Sequence, residues 1–140
     1  ESPYDIDVAV DPAMLGKIYE SLIAREERDD AGIFYTPRTE VDVMCRVALV
    51  EQLRESIDGA EAQDQHRIIE FVFSESSNWQ FDSEAETSKF RQVLEEIDIV
   101  DPACGSGAFL VGMLQVLTEA YKKLGDDIDY SVKENIINNN

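Results

Sequence analysis

Positive charge is scarce in this sequence. Across 140 residues, 12 Lys and Arg stand against 30 Asp and Glu, a formal net charge of −18. Such a chain does not by itself clamp a phosphate backbone, because that binding needs a positive surface. Histidine and cysteine are scarcer still, with one histidine, His66, and two widely separated cysteines, Cys45 and Cys104. These cannot supply the four ligands of a closed structural zinc site, and no metal centre is expected. Two distant cysteines in a chain of this size also argue for free thiols rather than a disulfide framework. The expected setting is therefore reducing and cytoplasmic. No apolar run reaches the roughly 18–20 residues that span a bilayer, so no membrane partner is expected. No basic-plus-apolar signal segment opens the sequence either. There are four prolines, and no two are adjacent.

What is present points to a folded chain. Hydrophobic residues make up 44% of it and fall in periodic runs, which suits a real core and excludes a uniformly disordered acidic tail. The length fits one domain. The sequence opens on Glu1 and closes on Asn138, Asn139 and Asn140, just after Ile136 and Ile137, and reads as a piece cut from a longer chain. The charge is uneven. Residues 1–50 carry 11 acids and 5 bases, residues 51–100 carry 13 and 4, and residues 101–125 carry 2 and 2. The neutral stretch holds the chemistry.

Leu15, Ile18, Tyr19, Leu22 and Ile23 recur at helical spacing, which predicts a helix over 12–28 with Asp11 as cap and Pro12 in its first turn. After the aromatic segment Ile33-Phe34-Tyr35, Thr36 suits an N-cap and Pro37 a first helical position. A second helix should then run to about Ile57, burying Val41, Cys45, Ala48, Leu49 and Leu53. Residues 58–66 read as a polar loop. The run Ile68, Ile69, Phe71, Val72, Phe73 fits helix or strand equally. Residues 74–83 read as loop, and 84–96 return to helical spacing through Phe90, Val93 and Leu94. The β-branched run Ile97-Asp98-Ile99-Val100 predicts a short strand. After it come a glycine turn, an amphipathic helix through Leu110, Met113, Leu114, Leu117 and Tyr121, and one more helix near 131–138.

A glycine pair between a strand and a helix lets the backbone pass close to a ligand that faces the helix amides. Spacing separates the ligands that use this device. No Lys follows Gly107, which excludes a Walker loop. Leu110 stands where a dinucleotide fingerprint requires a third Gly or Ala, and Cys104 stands where a nucleophile elbow requires Gly. What remains is an acid at the strand end, Asp101, then a small residue, Ala103, then Gly105-Ser106-Gly107. This suits a ligand with a cationic part near the carboxylate and no bulky pyrophosphate. S-adenosylmethionine has that character.

The string Asp101-Pro102-Ala103-Cys104-Gly105-Ser106-Gly107-Ala108-Phe109-Leu110 resembles the first methyltransferase motif of adenine-specific DNA methyltransferases. Upstream, Gly32-Ile33-Phe34-Tyr35-Thr36-Pro37 resembles the N-terminal cofactor motif of their gamma class, in the order that class uses. The leading helix, from Leu15 to Ile23 and followed by Arg25, is similar to the segment preceding that motif in type IIG-like restriction-modification methylases. The likeness covers 12–50 and 97–124 well and barely touches 58–95.

It implies an α/β fold: a mainly helical N-terminal layer over 1–95, then from residue 96 the first strand and helix of a truncated Rossmann-like S-adenosylmethionine-dependent methyltransferase fold. It also implies that Asp101, Ala103 and Gly105, within the loop Asp101–Gly107 that includes Pro102, Cys104 and Ser106, border the methionine part of the cofactor. Thr36, ahead of Pro37, would contact its carboxylate, and Phe34 and Tyr35 would shape the pocket. The implied reaction moves a methyl group from S-adenosylmethionine to the exocyclic amine of adenine flipped out of double-stranded DNA. DNA would be held by regions outside this chain. The catalytic Asn/Asp-Pro-Pro-aromatic tetrapeptide has no match here, so no catalytic residue is assigned and the 140 residues alone should not catalyse. Asp126, Asp127 and Asp129 sit at a tempting distance for ribose but follow Gly125 without an apolar strand, and are left unassigned.

Two other readings stand beside this one. The acceptor is RNA or protein on the same fold, or the chain is a non-catalytic acidic interaction module, which the −18 charge favours. For single residues, Cys104 and Cys45 read as packing residues, His66 as solvated, Trp79 as a partly buried anchor, and the 51–100 acid excess as a solvated face.

Overall fold

The computed structural model describes residues 36–57, 62–76, 79–127 and 129–139, together with Met14, Ile18, Ser21 and Leu22 further upstream. Those four are helical, as the spacing over 12–28 predicts, and the Ser21 hydroxyl donates to the Ile18 carbonyl at 2.7 Å. Ile18 and Leu22, expected in the core, are instead 45% and 78% exposed. Leu15, Tyr19 and Ile23 lie outside the described residues.

Five helices follow: α1 (Arg38–Ser56), α2 (Ala62–Phe73), α3 (Glu84–Glu96), α4 (Ala108–Lys123) and α5 (Tyr130–Asn139). Pro37, rather than Thr36, stands at the cap of α1, and its carbonyl accepts the Val41 N–H at 3.1 Å. The ambiguous run resolves as helix. α2 buries Ile68, Phe71 and Val72, spaced three and four apart, and leaves Ile69 and Phe73 exposed. Polar residues 62–66, expected in a loop, form its first turns. Ser83 caps α3 by accepting the Glu86 N–H, and the Glu86 carboxylate accepts the Asp82 N–H at 2.7 Å.

The expected sheet is not there. Ile97–Val100 is extended, but no second strand lies beside it among the described residues, and all regular structure among those residues is helical. An extended run becomes a strand only through a ladder of hydrogen bonds to a neighbour. The α/β, Rossmann-like expectation is therefore corrected to an all-helical arrangement for what is described.

The core is one cluster running from Val41 on α1 to Ile136 on α5. At its centre α1 crosses α4 at Gly112, where an added Cβ would stand 2.6 Å from Val41 Cγ1. Leu110, expected on the buried stripe, is 42% exposed. It lies about 200° around the helix from Gly112, at roughly 100° per residue, and so faces away from that crossing. Under α2 and α3, the rings of Phe71, Trp79, Phe81 and Phe90 pack with centroids 4.6–6.5 Å apart, and Arg67 lies 4.4 Å over Trp79. Trp79 is thus a buried anchor.

Cations join the helices. Arg46 of α1 reaches Asp42 at 3.0 Å, the Val72 carbonyl at 2.6 Å and Glu119 of α4 at 2.7 Å. Lys123 donates to the neighbouring Phe71 carbonyl. The last turn of α2 has no basic residue of its own, so its end is held by cations from α1 and α4. No described helix is long and apolar enough to cross a membrane.

Candidate functional site

The glycine loop is built as a turn that only glycine adopts easily. Gly105 and Gly107 have φ of +52° and +80°, and the Gly107 N–H closes a turn on the Cys104 carbonyl at 2.7 Å. A Cβ at Gly107 would meet nothing within 4 Å, so the backbone rather than crowding demands glycine there, and the space before it is open. Gly107 is also the N-cap of α4, offers no side chain to the first-turn amides, and is followed by no acidic residue in that turn. Those amides are left facing whatever occupies the loop.

Asp101 enters the loop from the extended run. Its Oδ1 accepts the Ala103 N–H at 3.0 Å and so fixes the turn. Its Oδ2 is buried from solvent and meets no hydrogen-bond donor among the described residues. A buried carboxylate oxygen without a partner is costly, and a ligand cation or amine relieves that cost. Pro102, Ala103, Cys104, Gly105 and Ser106 are exposed along the loop. Cys104 is therefore not the packing residue the sequence predicts, and both cysteines are free.

Beside Asp101 lies a notch of about 260 Å3. One wall is the end of the extended run, Ile99 to Pro102, and another is the start of α4, Phe109, Leu110 and Met113. The third is the middle of α1, Met44, Cys45 and Ala48. Cys45 ties the two helices there, its thiol donating to the Phe109 carbonyl at 3.6 Å. Burial, with the Asp42 and Asp101 carboxylates adding to it, pushes the Cys45 thiol above its ordinary range and keeps it a donor. The Asp101 carboxylate is the charged group in an otherwise apolar lining.

Among the described residues the two sequence motifs meet only through α1. The helix that begins after Thr36-Pro37 runs into the notch, but its start lies about 9 Å along the axis from Met44, at roughly 1.5 Å per residue. Thr36 is half-buried, and among the described residues no hydrogen bond joins it to the loop. Phe34 and Tyr35 lie outside the described residues. Sequence reasoning missed Met44, Ala48, Phe109 and Met113 as lining residues. Ala48, expected on the buried stripe of α1, lies off it and is exposed on the side of the notch.

Asp126 pairs with Arg91 of α3 at 2.7 and 2.9 Å, so its carboxylate is already engaged. His66 is exposed, with Nε2 3.3 Å from Glu70. Among the described residues no group of three or more His, Cys, Asp or Glu is placed to hold a metal.

Beside this geometry stands a likeness of the chain to a known protein. The chain is 29% identical over 147 residues to a protein of Methanocaldococcus jannaschii named "Putative type II restriction enzyme and methyltransferase". The match covers 96% of this chain but 12% of that protein, so the chain spans about an eighth of its relative's length. No family model and no solved structure matches the chain.

Proposed function

We propose, from that likeness and from the loop, that this chain is the cofactor-binding part of a restriction-modification methyltransferase acting on DNA in the cytoplasm. In this reading residues 1–95 carry the aromatic-Thr-Pro motif, residues 96–140 open the methyltransferase core, and the acceptor is the exocyclic amine of adenine. The observation that carries the proposal is Asp101 Oδ2, buried at the mouth of an apolar notch without a partner among the described residues and held by a two-glycine loop. That donor set fits S-adenosylmethionine, which combines an ammonium and a sulfonium with apolar carbon chain and supplies the methyl group when bound.

The chain's own part is to bind and orient. Asp101 accepts a donor from the cationic end, and Gly105 and Gly107 let the backbone approach. The uncapped amides of α4 receive polar groups, and the walls from Ile99, Phe109 and Met113 exclude water. Fixing a reactive group in one orientation is how binding lowers a barrier before any chemistry occurs.

Calorimetric titration of S-adenosylmethionine into the chain tests this. Wild type should bind, and Asp101→Asn, which keeps the size but removes the charge, should bind at least tenfold more weakly. Equal binding by the two proteins would remove Asp101 from the site, and no binding by wild type would remove the cofactor reading.

A further inference from the structure

We infer that Ala48 sets how deeply a ligand enters the Asp101 notch, making the middle of α1 a determinant of which cationic ligand the site accepts. This rests on the cofactor reading and adds a residue that the loop motifs do not include.

The inward stripe of α1 is Val41, Cys45, Leu49 and Leu53, all buried. Ala48 lies off that stripe and is exposed. It stands one turn from Met44, and residues four apart share a helix face. That face looks onto Ile99, Val100, Asp101 and Pro102 on one side and onto Phe109, Leu110 and Met113 on the other. The rim is apolar and open, with Met44 at 55%, Val100 at 83% and Leu110 at 42% exposure. A contiguous apolar rim around one buried charge marks a place that something covers.

The occupant follows from the lining. It must bring a positive or donating group to Asp101 Oδ2 and apolar surface to the rest. At about 260 Å3 the notch falls just below the roughly 300 Å3 at which whole-ligand pockets begin, so it takes the cationic, aliphatic end of a ligand. Met44 and Met113 are flexible thioethers that adjust to its shape. Ala48 does not adjust. Its single methyl leaves the space between Met44 and the loop unfilled, and a longer side chain there would occupy that space and hold the cation away from Oδ2.

The test uses the full chain and S-adenosylmethionine as the probe. Ala48→Leu should bind at least tenfold more weakly than wild type at unchanged helicity and melting temperature, because the site is exposed and Leu is a good helix former. Adding Met44→Ala to Ala48→Leu reopens the notch and should recover part of the lost affinity. Wild-type binding by Ala48→Leu, alongside lost binding by Asp101→Asn, would overturn this inference alone. Failure of the double variant to recover any affinity would overturn it too, since the loss would then not come from filled space. Absence of binding by wild type would remove the cofactor reading and this inference with it.

Discussion

Lys123 places a lysine ammonium in the core, 7% exposed, where it donates to the Phe71 carbonyl and lies 5.5 Å over the Phe71 ring. Burial first, and the nearby Arg46 guanidinium second, lower its pKa from 10.5 to about 8, against a smaller opposing pull from Glu119. Between those two values the unfolded chain holds more protons than the folded one, so stability should rise with pH from about 8 upward. The slope is at most about 1.4 kcal/mol per pH unit. Cys45 and Tyr121 act oppositely. Both are raised by burial from 9.0 and 10.0, so the folded state keeps protons that the unfolded chain loses above those values. Melting temperature measured from pH 7 to 10 should therefore climb near pH 8–9 and then level or fall. Lys123→Met should abolish the climb, and a climb that persists in that variant would assign it to another group.

At the scale of elements, the crossing of α1 and α4 positions the notch, and Gly112 is what permits it. Glycine inside a helix costs about 1 kcal/mol relative to alanine, so Gly112→Ala would stabilise an isolated α4. In the fold, the new Cβ stands 2.6 Å from Val41 Cγ1, and overpacking of that kind costs about 1–3 kcal/mol. The clash should win, lowering the urea midpoint. Val41 belongs to the rigid, buried stripe, so its side chain cannot swing clear into solvent. Val41→Ala in the same chain removes the clashing methyl and should recover part of the loss, a coupling that a double-mutant cycle reads directly. Additive losses would show that the helices separate instead of clashing. Arg46, bonded at once to Asp42, Val72 and Glu119, keeps the same crossing in register with α2.

For the whole molecule, the −18 charge sets a balance between repulsion and local pairing. The Arg46, Arg67 and Arg91 pairs have cations 14%, 22% and 34% exposed, so salt weakens them less than it weakens repulsion among surface acids. Raising ionic strength from about 0.01 M to 0.15 M shortens the screening length from roughly 30 Å to 8 Å. Melting temperature should therefore rise with salt, and a fall would show that the ion pairs dominate. The charge also fits the proposed reading, in which phosphate contact is left to other regions. Nearly all of the acid lies outside 101–125, where two acids meet two bases.

Local rules were enough for much of this. Helical spacing, a helix start at Pro37, and glycines at Gly105 and Gly107 follow from backbone sterics and short-range hydrogen bonds, which depend on neighbouring residues alone. The glycine turn was legible for that reason, and so was the buried face of α1 apart from Ala48. Strand formation was not, because Ile97–Val100 needs a partner from elsewhere. Nor was the α2 run, whose short apolar stretch fits two periods until Phe71 meets Trp79, Phe81 and Phe90. The sequence by itself determined where the chain turns and which of those turns take glycine. Only the tertiary structure decided that Ala48 leaves the core for the notch, that Lys123 enters the core, and that Asp101 Oδ2 is buried with no partner among the described residues. Burial is a property of what other elements cover, and no local pattern carries it.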